Sequence, residues 1–128
     1  MSDPLTASNP TSRPSTPEAA GLATQDAAAA AATLLTPEAL QRHLSALGAW
    51  SIEQGQLSRR FDWADFHHTM AFVNAVAWIA HRADHHPDLE VGYNRCTVRW
   101  STHSAGGLTL KDLICAAQVD RLQCLNKG

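Results

Sequence analysis

An apolar stripe with helical spacing occupies the middle of the chain and ends against a proline. The stripe predicts a helix that begins after the capping residue Asp65 and lies across a sheet. This helix must end before His86, because Pro87 excludes the α conformation from the residue that precedes it. The end of the helix therefore delivers His85 and His86 to a change of chain direction. The members of the stripe are Phe66, Met70, Phe72, Val73, Val76, Ile79 and Ala80.

Strand-like alternation precedes and follows this helix. Residues 50–63 alternate between apolar and polar side chains around a turn at Gln54 and Gly55, which predicts a β-hairpin. Residues 89–102 repeat the alternation with a turn near Asn94 and predict a second hairpin. The residues of the second hairpin that we expect to face the helices are Cys96, Val98 and Trp100.

Two shorter helices complete the pattern. The first is predicted where Thr36 caps, Pro37 takes the first helical position and leucines recur on one face until Gly48. The last helix is expected to start at Thr109. The resulting order, α-β-β-α-β-β-α, predicts an α+β fold of two layers, in which a four-stranded antiparallel sheet carries three helices on one face.

The first 35 residues differ in composition from the rest of the chain. They are rich in Ser, Thr, Pro and Ala, and we expect a flexible leader because they bury too little surface to offset the entropy of ordering. A helix near the alanines at residues 27–32 stays open, whereas the acidic residues disfavour a transit peptide. The folded domain is expected over residues 36–128, and self-association is expected because a domain of this size is marginal alone.

Charge and cysteine content disfavour several functional classes. The net charge is −2 at pH 7 and the pI is near 6.3, so no direct binding to nucleic acid is expected. The three cysteines lack the spacing of a disulfide framework or a thiolate zinc site, and they favour a reduced cytoplasm. No apolar run approaches the roughly 18 residues of a membrane span. We therefore expect a cytoplasmic protein without a membrane partner.

Four proton-transfer groups in the second half of the chain suggest a site: His85, His86, His103 and Asp112. Each group also has a purely structural explanation. A histidine pair complements the dipole at a helix C-terminus, His103 lies at a strand end, and Asp112 is spaced to form a capping box with Thr109. Imidazole and carboxylate also bind zinc or iron, but no H-x-x-x-H clamp is present, and we predict no metal.

Three other histidines favour a structural interpretation. His67 and His68 lie in the first turn of the central helix, where neighbouring side chains diverge by about 100°. We expect them on the surface or in packing contacts rather than in one pocket. His43, in the first predicted helix, is interpreted in the same way.

The chain resembles the pterin-4a-carbinolamine dehydratase family, also known as dimerization cofactors of a homeodomain transcription factor. The resemblance extends over about residues 36–125 and implies the same order of helices and strands. One departure is His81, since the family often has an acidic residue at this position. The motifs that carry the resemblance are HHP at residues 85–87, an aromatic at Tyr93, STH at residues 101–103 and GGLTLKD at residues 106–112.

The resemblance implies a dehydratase that needs no cofactor. Its substrate would be a 4a-hydroxytetrahydropterin, which an aromatic amino-acid hydroxylase releases and which loses water to give the quinonoid dihydropterin. One group must take the proton from ring nitrogen N5, and another must donate a proton to the departing 4a-hydroxyl. Imidazole suits both steps, because its unperturbed pKa is about 6.5.

The resemblance also implies roles for individual residues. We expect His85 and His103 to exchange the protons while His86 binds and orients the pterin. Pro87 is expected to stiffen the turn, and Asp112 to steady a histidine from behind. The residues expected to contact the pterin edge are Asp84, Ser101, Thr102 and His81.

Two other functional classes stay open. Family members and relatives also serve as non-catalytic partners, which stabilise a transcription factor dimer or assist assembly of a carboxylase. The third interpretation is a module that binds a small molecule without turnover. Because the histidine motif is present in full, catalysis is the favoured interpretation. The family occurs as dimers and tetramers, so we expect a homo-oligomer of either kind, with an aromatic amino-acid hydroxylase as a functional partner.

Overall fold

The structure, a computed structural model, describes residues 17–123 and shows the predicted order of elements with one additional helix at the start. The α+β class and the four-stranded antiparallel sheet are confirmed. The elements are α1 (Pro17–Ala23), α2 (Pro37–Ala46), β1 (Ser51–Glu53), β2 (Gln56–Asp62), α3 (Phe66–Ala83), β3 (Asp88–Val91), β4 (Arg95–Trp100) and α4 (Leu110–Asp120).

The sheet has the strand order β1-β2-β4-β3, so the two hairpins meet through their second strands. Leu57 is paired with Trp100, and Phe61 with Cys96. These apolar residues point towards the helices and are buried, as the alternation in the second hairpin predicts. The pairing brings the start of β2 beside the end of β4, which is where the site described below lies.

The start and the end of α3 follow the predicted rules. Asp65 caps the helix, because its side chain accepts a hydrogen bond from the backbone N–H of His68. The helix ends at Ala83, and Asp84 follows in the left-handed conformation with φ of 50°. The backbone N–H of His85 then donates to the carbonyl of Ala80, which turns the chain towards the sheet.

The structure differs from the prediction of a flexible leader over residues 17–35. Leu22, Ala23 and Ala27 are buried in the hydrophobic core, and α1 lies against α4. The prediction weighed the Ser, Thr and Pro content of the whole segment and missed the few apolar residues that find a partner surface on α4. Residues 1–16, the other half of the predicted leader, lie outside the described residues.

The lengths and hydropathy of the helices test the expectation that the chain has no membrane span. Between residues 17 and 123, no helix is both long and apolar enough to cross a bilayer. The longest helix, α3, instead lies on the protein core, where Phe72 and Val76 are fully buried.

Candidate active site

A short hydrogen bond joins His85 to Asp112. The His85 Nε2 atom lies 2.6 Å from Asp112 Oδ1, and the side chains are 12% and 0% exposed. One face of the His85 imidazole stacks on the ring of Trp100, with ring centroids 5.5 Å apart and planes inclined by 16°. Packing and the hydrogen bond together fix the orientation of this ring.

Asp112 lies in the first turn of α4, where it also holds the start of the helix. Its Oδ2 atom accepts hydrogen bonds from the backbone N–H of Thr109 at 2.9 Å and from the Thr102 hydroxyl at 2.7 Å. The hydroxyls of Thr102 and Thr109 are 2.9 Å apart. Because the proton of Thr102 goes to Asp112, Thr109 donates to Thr102. The capping-box geometry and the histidine contact therefore coexist in one carboxylate.

The hydrogen bond to Asp112 determines which imidazole nitrogen of His85 carries a proton. A carboxylate only accepts hydrogen bonds, so Nε2 must donate in the neutral and in the protonated imidazole. In the neutral ring, Nδ1 is then the basic nitrogen. The pair thus has the arrangement that supports acid–base chemistry, with a carboxylate behind the imidazole and one nitrogen left to exchange a proton.

A cavity of about 460 Å³ opens beside this network at the end of β4. This volume lies within the usual range of small-molecule sites, about 300–1,000 Å³. His103 is exposed in a short 3-10 turn, His103–Ala105, and borders the cavity together with the buried Thr102. The remaining lining residues are Gln54, Gly55, Gln56, Ser101, Gly106 and Gly107.

Of the predicted site residues, Ser101, Thr102 and His103 line this cavity, whereas His81, Asp84, His85, His86, Pro87 and Asp112 do not. His86 and Asp84 are exposed and follow the end of α3. His81 is exposed on α3, and its ring stacks on Trp78 with centroids 5.7 Å apart. Pro87 lies between His86 and the first residue of β3. Hydrogen bonds thus connect His85, Asp112 and Thr102, and Thr102 and His103 border the same cavity.

The strand register places Gln56 beside Ser101 at the cavity. The pairing of β3 with β4 begins at Asp88 and Arg99, so His86 lies before it. On the other side of β4, Leu57 is paired with Trp100, which extends to Gln56 opposite Ser101. Side chains directly opposite one another in an antiparallel sheet have Cβ atoms about 5 Å apart. Ser101 and Gln56 therefore lie next to each other, and both line the cavity.

Sequence reasoning missed the contribution of Gln54, which it assigned only to a turn, and of Gln56, which it did not single out. Both residues line the cavity, and both also line a second cavity of about 510 Å³ with Asp88 and Arg99. The Gln56 side-chain amide donates to Asp88 Oδ2 at 3.3 Å. Nothing in the local sequence marks these glutamines, because their position depends on the pairing of β2 with β4.

The histidines interpreted as structural make local contacts. His68 Nδ1 lies 2.7 Å from Asp65 Oδ1 in the same turn of α3, and His67 is exposed. His43 Nδ1 lies 2.8 Å from Glu18 Oε2 and joins α2 to α1. Among residues 17–123, no group of three or more His, Cys, Asp or Glu side chains is arranged to hold a metal ion.

The fold and the site define a class of small α+β proteins in which a histidine at the end of a hairpin borders a cavity, next to a buried histidine–aspartate pair. Comparison with known proteins specifies the class further. Residues 33–122 match the family model of pterin 4 alpha carbinolamine dehydratase. The chain belongs to this family, which confirms the resemblance found in the sequence.

Individual relatives agree with this membership. A protein of Bdellovibrio bacteriovorus, provisionally named a pterin-4-alpha-carbinolamine dehydratase, is 48% identical over 92 residues, which cover 69% of this chain and 77% of the relative. A protein of Chromobacterium violaceum with the same provisional name is 51% identical over 88 residues, 69% of this chain and 82% of its own. A crystal structure from Brucella melitensis, described as a transcriptional coactivator/pterin dehydratase, is 31% identical with a TM-score of 0.64 and covers 72% of this chain and 97% of its own.

Proposed function

We propose that this protein is a hydro-lyase that removes water from a 4a-hydroxytetrahydropterin. In this reaction the bond between C4a and the hydroxyl oxygen breaks, the N5 proton leaves, and the electron pair of N5 forms the double bond of the quinonoid dihydropterin. One imidazole takes the N5 proton, and a second protonates the departing hydroxyl as water. The proposal follows from family membership together with the geometry of the histidines.

The observation that carries the proposal is the buried pair of His85 and Asp112 beside the cavity that His103 borders. We assign the two proton transfers to His85 and His103. His85 is mostly buried behind the cavity, and His103 is exposed at its border. Asp112 fixes the tautomer of His85 through the 2.6 Å hydrogen bond. His86 is exposed, and we assign it to binding and orienting the pterin, as the family resemblance implies.

Polar residues at the cavity are suited to the amide edge of a pterin. That edge presents donors and acceptors side by side, and side-chain amides and hydroxyls supply both. Ser101 and Thr102 line the cavity, and we propose that they bind the pterin together with Gln54 and Gln56. Asp84 and His81 stay secondary candidates, because neither lines this cavity.

The experiment follows carbinolamine disappearance by absorbance while an aromatic amino-acid hydroxylase turns over, with and without this protein. We expect acceleration over spontaneous dehydration, and we expect His103→Ala to lower kcat by about 10²-fold or more, as for other positioned acids and bases. His86→Ala should raise KM more than it lowers kcat. His67→Ala is the matched control, since His67 is exposed on α3 and distant in the chain from the cavity. No acceleration by the wild-type protein would refute the enzymatic proposal.

A homo-oligomer is the second part of the proposal. Trp78, Phe66 and Tyr93 are 50% or more exposed, and large exposed aromatics favour a contact with another protein surface. We propose that a second copy of the chain covers part of this surface, in a dimer or a tetramer that light scattering distinguishes. The unpaired thiols of Cys96 and Cys115 support a location in the reducing cytoplasm.

A non-catalytic partner role is a second candidate, favoured by the same exposed aromatics. The Brucella melitensis relative is described both as a transcriptional coactivator and as a pterin dehydratase. The His85–Asp112 geometry is not needed for a purely structural partner, and it favours catalysis here. The absorbance assay separates the two candidates, since a partner protein alone would not accelerate dehydration.

A further inference from the structure

We infer that residues 17–35, which we call the N-terminal strap, position the site by holding the first turn of α4, and that Lys111 is the residue that transmits this effect. The inference deepens the proposed function, on which it rests. Residues 17–32 precede the part of the chain that matches the family. Residues 17–32 of the strap, which contain the carbonyls bound by Lys111, therefore add a support that the family match does not cover.

The end of the strap is attached directly to the loop before α4. The backbone N–H of Leu35 donates to the carbonyl of Leu108 at 3.1 Å, and Leu34 forms an antiparallel bridge with Thr109. The Leu34 side chain lies so close to Gly107 that an added Cβ on this glycine would meet Leu34 Cδ2 at 2.9 Å. Because Gly107 borders the cavity and Thr109 holds Asp112, the strap contacts the site from behind.

The middle of the strap is attached to the first turn of α4 by a single side chain. Lys111 Nζ donates to the carbonyls of Ala27 and Ala28, at 2.9 and 3.1 Å. These carbonyls lie in the 3-10 turn Ala27–Ala29, and Ala27 is itself buried. Lys111 is therefore held on the strap side of the helix, and the neighbouring residue, Asp112, is held on the side of Thr102 and His85.

A second attachment further along α4 provides a comparison within the same chain. Gln118 Nε2 donates to the carbonyls of Ala23 and Gln25, at 3.3 and 3.1 Å. Lys111 and Gln118 each join α4 to the strap by two hydrogen bonds to backbone carbonyls. Only Lys111 is adjacent to Asp112, while Gln118 lies six residues later. A strap that only stabilises the fold would respond similarly to the loss of either attachment.

The expected effect on kcat follows from the small displacement that catalytic acid–base groups tolerate. A displacement of about 1 Å in a catalytic geometry costs about 10²-fold in rate. Loosening the first turn of α4 shifts Asp112 by part of that distance, because Thr102 and Thr109 still hold the carboxylate. We therefore expect Lys111→Met to lower kcat by about three- to tenfold, with KM changed less than about twofold.

The experiment compares three variants of the full chain in the dehydratase assay. Lys111→Met should lower kcat, Lys111→Arg should restore most of it because the guanidinium still donates, and Gln118→Met should leave kcat within about twofold of the wild type. Thermal unfolding of each variant measures the purely structural effect. Equal losses of kcat in Lys111→Met and Gln118→Met, or no loss in Lys111→Met, would overturn the inference.

A second measurement does not depend on turnover. The ring ¹⁵N chemical shifts of His85, assigned by their loss in His85→Gln, report its tautomer and hydrogen bond. In Lys111→Met these shifts should move towards those of mixed tautomers, while Gln118→Met should leave them unchanged. If the wild-type protein shows no dehydratase activity but the shifts move in this way, the proposed function fails and the positioning by the strap stands. Activity in the wild type with unchanged shifts in Lys111→Met refutes the positioning alone.

Discussion

Replacing Asp112 by asparagine tests whether the buried carboxylate determines the tautomer of His85. Asparagine keeps the shape of the side chain but has one oxygen and one amide nitrogen. The backbone N–H of Thr109 can only donate, so the amide oxygen is expected at the Oδ2 position, where it retains the hydrogen bonds from Thr109 and Thr102. The amide nitrogen then faces His85 Nε2, which must become an acceptor.

The size of the effect differs between stability and activity. Two of the three hydrogen bonds of Asp112 are retained, so we expect a loss of about 1–2 kcal/mol in the free energy of unfolding. The proton of His85 moves from Nε2 to Nδ1, which removes the basic nitrogen from the side that exchanges protons. Loss of the correct tautomer in a histidine–carboxylate pair costs about 10⁴-fold in kcat in a serine protease, and we expect about 10²–10⁴-fold here.

The assay measures kcat for carbinolamine dehydration together with urea unfolding of the same preparation. Asp120→Asn is the matched control, because Asp120 also lies on α4 and accepts hydrogen bonds from Arg59 and Trp50, at 2.6 and 2.8 Å. Burial raises the pKa of the Asp120 carboxyl, against the opposing effect of Arg59. We expect Asp120→Asn to lower stability and to leave kcat within about twofold, since it is outside the site. If Asp112→Asn retains kcat while folding normally, the tautomer argument is wrong.

Two further predictions test the helix cap and the buried thiols. Hydrogen bonds from the backbone N–H and the ring of His68 lower the pKa of Asp65, so its stabilisation is present above the ordinary carboxyl pKa, about 3.9, and is lost as the pH falls through the lowered value. Asp65→Ala should therefore lower the melting temperature at pH 7, and the difference from the wild type should shrink below about pH 4. Burial raises the pKa of Cys96 to about 11 and that of Cys115 to about 12. Iodoacetamide at pH 8 should leave both thiols unmodified in the folded protein and alkylate them in urea, as peptide mass spectrometry measures; rapid labelling of either in the native state would contradict their burial.

Local patterns predicted the elements that positioned the site. The helix stop before Pro87, the cap at Asp65 and the start of α4 after Thr109 each depend on a few neighbouring residues, and the structure confirms all three. The contacts of Asp112 were only half predictable. Its spacing from Thr109 indicated a capping box, but the hydrogen bond to His85 depends on how α4 crosses the sheet, and no local signal contains that information.

The other missed features have the same physical origin. Gln54 and Gln56 border the cavity because β2 is paired with β4, and strand order is a long-range property. The strap was missed for a related reason. Leu22 and Ala27 form a weak apolar pattern alone, and they become buried only because α4 presents a surface of complementary shape. The composition of a segment indicates how much apolar surface the segment can bury by itself. It does not reveal a segment that becomes buried against the surface of another element.

The pair His85 and His86 shows why adjacent histidines need not act alike. Consecutive side chains of an extended segment point to opposite sides, which argues against a shared role for the two rings. In the structure His85 turns inwards to Asp112 and Trp100, while His86 stays exposed. The inner ring has a fixed tautomer and a restricted orientation, which suits proton exchange, whereas the outer ring is free to adjust to a ligand. The alternation of the backbone, the same rule that buries Trp100, therefore favours the division of roles that we propose for the two histidines.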